Sequence, residues 1–164
     1  MLKGKDAHET ASHILFITGH SGRNLTPMQL NKLSYIAHGW TLGVLGVPLF
    51  CDTVKAWRYG PIVPDIFHMY KDFGNSPIVG LLKDLRDSFT PDTLAIIERV
   101  VEVYAKYDGL FLSALTHQHN SPWDITMKDK GRKCHYSKRS HQRILQILYS
   151  EMIESQILAL LNKF

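Results

Sequence analysis

The stretch Thr26-Pro27-Met28-Gln29 constrains the fold more than any other part of the chain. Thr26 can cap a helix, Pro27 suits the first helical position, and Gln29, three residues after the cap, completes a capping box. From there Leu30, Leu33, Ala37, Trp40 and Val44 recur at alternating steps of three and four, which makes one continuous apolar stripe. The spacing predicts a long helix with one side in a core. Other helices must pack against that side.

The rest of the chain supplies them. Ala7, Ala11, Ile14, Leu15 and Thr18 share one face of a segment that Gly19 and Gly22 stop. Pro64 opens a helix with Ile66, Met69, Tyr70 and Phe73 at helical spacing. A second Thr-Pro start at Thr90-Pro91 leads into Leu94, Ile97, Val101 and Tyr104, with an expected end at Gly109. The run "LFLSALTHQH" reads as a short apolar helix, Ser121-Pro122 starts another, and residues 137–161 read as a long final one. Only residues 48–60 break the pattern. They are rich in β-branched and aromatic residues between Pro48 and an expected Gly60-Pro61 turn, and predict a small extended insertion. The fold class expected is mainly α, a compact multi-helix single domain over 1–164.

Composition matters chiefly for its distribution. The net charge of +4 is local, because residues 128–143 alone carry +6 and the remainder sums to −2. Lys130, Arg132, Lys133, Lys138 and Arg139 in that segment could track phosphates, which makes a nucleic-acid-binding regulator the alternative reading. The plainer reading is a solvated loop entering a helix. No apolar run approaches the roughly 18 residues a membrane span needs, and the N-terminus lacks the apolar core of a signal peptide. The expectation is a cytoplasmic protein with Cys51 and Cys134 as thiols.

Bond-making chemistry finds little support. His117, His119, Cys134 and His135 are the candidate metal ligands, but two helical residues two apart point about 200° apart, so convergence on one ion is not expected. No G-x-S-x-G, G-x-G-x-x-G or Walker loop occurs. Asp65, Asp72, Asp84 and Asp87 read as caps or exposed positions. His38, one turn after Ser34, is the best single candidate for chemistry, and a metal-dependent hydrolase around His38, His117 and His119 is the weakest reading. Neither an enzyme nor a cofactor is expected.

The segment Ala56-Trp57-Arg58-Tyr59-Gly60-Pro61 has the composition of interface anchors, since Trp, Tyr and Arg desolvate large areas and still make directed polar contacts. It also reads as a tight corner over a core. Trp57 is expected buried and Arg58 exposed. Arg58, Tyr59, Pro61, Val63 and Asp65 are the candidate partner-binding residues.

Several stretches resemble one family as a set: Leu30-Asn31-Lys32-Leu33, Ala37-His38-Gly39-Trp40, Pro48-Leu49-Phe50, Ala56 to Pro61, Val63-Pro64, and Leu115-Thr116-His117 with Pro122-Trp123. Over about residues 25–125 the chain resembles the Panacea domain of SocA-like antitoxins and phage-associated GepA-like proteins. The resemblance implies bacterial or prophage origin and a mainly helical, non-enzymatic domain. It implies a cognate toxin on a separate chain, neutralised by direct contact or, in part of the family, presented to a housekeeping protease. His38, Trp40, Trp57, Gly60, Thr116, His117, Pro122 and Trp123 are then expected to be structural family motifs. The basic segment 128–143 departs from the usual family pattern.

Overall fold

The computed structural model describes residues 6–80 and 83–129. Its centre is α2 (Pro27–Leu45), which begins with the expected device. Thr26 Oγ1 accepts the Gln29 N–H, and Gln29 Oε1 accepts the Thr26 N–H at 3.0 Å. Gly46, in the left-handed conformation at φ 69°, ends the helix. Helix α2 is covered on more than one side. It touches α1 (Ala7–His20), α3 (Pro64–Tyr70), α4 (Pro91–Tyr104) and α5 (Gly109–Thr116).

The expected α1 face is the buried one, with Ala7, Ala11, Ile14, Leu15 and Thr18 inside. Ala7, Ala11, Ile14 and Leu15 belong to one hydrophobic core with Leu30, Leu33, Ile66, Ile97 and Leu112 among others. Each fully buried Leu or Ile adds about 1.5–3 kcal/mol relative to an exposed one. Val44 and Met69 leave the stripes assigned to them and are exposed. Because α2 is surrounded, its polar residues must find partners inside. Ser34 and Thr41 donate to carbonyls one turn back, those of Leu30 and Ala37. Asn31 and Lys32 reach other elements instead.

The extended insertion is an antiparallel hairpin of β1 (Lys55–Trp57) and β2 (Gly60–Ile62). Trp57 pairs with Gly60, so Arg58 and Tyr59 make the two-residue turn. The expected turn at Gly60-Pro61 is thus corrected. Those residues form β2, whose backbone is claimed by side chains from the helices.

A second correction concerns α4, which stops at Tyr104 instead of Gly109. Asp108 accepts the Phe111 N–H at 2.7 Å and starts α5, making Gly109 the first residue of a new helix. Helix α6 (Pro122–Asp129) has Ser121 as its cap, whose Oγ accepts the Asp124 N–H. The expected final helix 137–161 lies outside the described residues. Among the described residues, no helix is long and apolar enough to cross a membrane.

Candidate functional site

Three helices hold the hairpin by its backbone. From α2, the Asn31 side chain meets Val63 as a strand would: Nδ2 donates to the Val63 carbonyl and Oδ1 accepts its N–H, both at 3.0 Å. One residue on, Lys32 Nζ donates to the carbonyls of Tyr59 and Pro61, both at 2.8 Å. From α5, Ser113 Oγ donates to the Tyr59 carbonyl at 2.9 Å, and Thr116 Oγ1 turns back to the Ser113 carbonyl. His117, just past the end of α5, places Nε2 3.4 Å from the Arg58 carbonyl and Nδ1 against that of Ser113. Its ring lies 3.9 Å from that of Trp123, whose indole N–H donates to the Trp57 carbonyl.

Gly60 makes this convergence possible. Its φ is +104°, and a Cβ there would stand 2.6 Å from Lys32 Nζ and 3.1 Å from Thr116 Oγ1. A side chain there would force either the Lys32 ammonium away from the carbonyls it holds or the hairpin away from α2.

Lys32 is the unusual member. It is 4% exposed, and burial lowers its pKa from 10.5 to about 8. Among the described residues no carboxylate lies within 4 Å of it. Its partners are neutral carbonyls.

With its carbonyls taken from below, the hairpin turns its large side chains outward. Trp57, expected buried, is 38% exposed, because the alternation in β1 sends Ala56 inward and Lys55 and Trp57 out. Trp57 meets Phe67 of α3 edge to face at 5.4 Å, and Tyr59 carries the Arg58 guanidinium 5.6 Å from its ring centroid. Between hairpin, α2 and α3 opens a groove of about 510 Å³. Met28, Trp57, Tyr59, Ile62 and Phe67 are its apolar lining, and Lys32 and Lys71 its cations.

Of the candidate partner-binding residues, Arg58, Tyr59 and Asp65 are exposed. Pro61 and Val63 are buried. Lys32 and Asn31 draw the backbone at these positions against α2, and the side chains follow it into the interior.

Of the remaining motif residues, His38 and Pro122 are buried and Trp40 is half-buried. His38 is 3% exposed, its ring 4.2 Å from that of Phe50 and its Nδ1 3.5 Å from the Phe50 N–H. Trp40 stands edge-on to Tyr104 at 6.2 Å, and its indole N–H has no hydrogen-bond partner among the described residues. Pro122 is buried at the start of α6. His119 is exposed near Asp124 and Lys128. No three His, Cys, Asp or Glu residues among those described are grouped to hold a metal ion. Cys134, His135 and the basic residues Lys130, Arg132, Lys133, Lys138 and Arg139 lie outside the described residues.

The sequence reading missed Met28, Lys32, Phe67 and Ser113 as site residues. A signal for Lys32 was present. Tyr35 and Ile36 add apolar surface to α2 beyond its stripe, and a helix apolar on several sides buries its lysines too.

A mainly helical domain whose helices pin a small aromatic hairpin is the class defined by this fold and site. Residues 30–124, more than half of the chain and inclusive of the whole clamp, match the family model described as "Antitoxin SocA-like, Panacea domain", and the chain belongs to that family. A curated relative is Antitoxin SocA of Caulobacter vibrioides (strain NA1000 / CB15N). It is 27% identical over 136 residues, which cover 77% of this chain and 72% of the relative. No solved structure matches the chain.

Proposed function

We propose that this chain is an antitoxin that works in the cytoplasm as a non-enzymatic binding domain, and that it seats a separately encoded toxin in the groove beside the hairpin. Family membership and the name of the curated relative support the antitoxin role. The docking site rests on one observation. Trp57 and Tyr59 stay exposed on a hairpin whose backbone is tied down from beneath, and Phe67 of α3 stands exposed beside them. Rigid aromatic groups around a groove lose little conformational freedom on binding, which is the property of interface anchors.

The test is co-expression of the full chain with the product of the adjacent gene. The expected result is relief of growth arrest and a complex that co-purifies, with both lost in Trp57→Asp or Phe67→Asp. A toxin that binds these two variants as well as the wild type removes the groove as the docking site. The toxin's half-life in the same cells separates the two modes of neutralisation. A stable, bound toxin marks direct occlusion, and rapid turnover dependent on this chain marks delivery to a housekeeping protease.

A further inference from the structure

The groove's charge is not explained by the fold. Lysine carries three ammonium protons, and two of those on Lys32 go to the Tyr59 and Pro61 carbonyls. The third has no acceptor among the described residues. Burying an ammonium without a counter-charge is costly, and the cost is offset when an anion arrives. Lys71 stands exposed along the same groove, and no Asp or Glu lines it. Met28, Trp57, Ile62 and Phe67 make most of the other walls, with Asn31 and Asn75 as neutral polar groups among them. Such a surface rejects a purely polar segment and leaves a purely apolar one facing an unpaired cation.

We infer that the groove recognises an acidic side chain, Asp or Glu, carried on an otherwise apolar segment of the partner protein, with the carboxylate meeting Lys32 and the flanking residues packing on Trp57 and Phe67. A side chain fits this role better than a chain terminus. Lys32 lies on the groove's buried side, where a carboxylate on a flexible stem can reach it while the partner's backbone stays outside. Lysine also offers a point charge in place of the backbone N–H nest that usually captures a terminal carboxylate. This inference rests on the groove being the partner's docking site.

The test uses the full chain with isotope-labelled lysine and tryptophan, titrated with 4-phenylbutyrate and its neutral isostere 4-phenylbutyramide. The signals of Lys32 Nζ and the Trp57 indole are followed by NMR. The carboxylate is expected to bind at least about tenfold more tightly than the amide, because a hydrogen bond to a charged group is stronger than one between neutral groups. Lys32→Met should make the two equal, and Trp57→Ala should weaken both. Equal affinities in the wild type, a preference that survives Lys32→Met, or no binding of either compound overturns the inference. The wild-type comparison stands even if the Lys32 variant folds poorly. With the toxin itself, binding lost in Trp57→Asp but kept in Lys32→Met overturns the carboxylate and leaves the docking site in place. Binding kept in both overturns the docking site and this inference with it.

Discussion

Trp123 donates its indole N–H to the carbonyl of Trp57 at 2.7 Å, across 66 residues of sequence. This bond ties α6 to the first strand of the hairpin, while the Trp123 ring also covers His117. Trp123→Phe keeps most of the ring contact and removes the donor. It is expected to cost about 1 kcal/mol by chemical denaturation. Amide exchange should quicken at 55–62 while the α1 and α4 amides stay protected, and uniform change across the fold would contradict this local role.

Gly60 is the position least able to accept a side chain. Gly60→Ala combines a backbone conformation that L residues rarely adopt with a 2.6 Å clash against Lys32 Nζ. The expected loss is about 2–4 kcal/mol, measured as a shift in the urea midpoint. A variant as stable as wild type would mean that the hairpin does not lie where the clamp puts it.

Asn31 replaces a missing strand. In Asn31→Leu, the Val63 N–H and carbonyl would both stay inside without the partner they have now, at an expected cost of about 3 kcal/mol. Circular dichroism and urea titration check it. A loss below about 1 kcal/mol would show that Val63 finds those bonds elsewhere.

The lysine sets a pH dependence with a definite sign. Below pH 8 Lys32 is charged in both folded and unfolded chains, and folding carries the full cost of its burial. Between about 8 and 10.5 the folded chain releases the proton while the unfolded chain retains it, so stability rises with pH. Above 10.5 the group is neutral in both states. Relative to Lys32→Met, which cannot titrate, the wild type should gain about 2–3 kcal/mol between pH 7 and 10. A flat difference would place the ammonium in water.

The outward aromatics should separate stability from binding. Trp57→Ala removes an exposed ring and its edge-to-face contact with Phe67, and Phe67→Ala removes that contact and one with His68, each an expected loss of under about 1.5 kcal/mol. The same changes are expected to weaken the toxin complex about tenfold or more, as anchors at an interface centre do. Isothermal titration beside thermal melts gives both quantities.

Local chemistry is legible along the chain itself. The capping box at Thr26 and Gln29, the Thr90 cap and the apolar face of α1 depend on residues within a turn or two of one another. The sequence therefore determined the mainly helical class and most helix starts. The end of α4 was misplaced because the Asp108 cap outweighs the Gly109 stop signal that follows it.

Contacts between distant residues were decided only by the tertiary structure. Lys32 and Pro61 are 29 residues apart, and nothing local to either says that one donates to the other. Whether Trp57 faced core or solvent turned on how the helices grip the hairpin, since either side of a short strand can be buried. Caps are satisfied by near neighbours and can be read residue by residue. Burial and charge compensation are properties of what surrounds a group in space, and those surroundings exist only once the chain has folded.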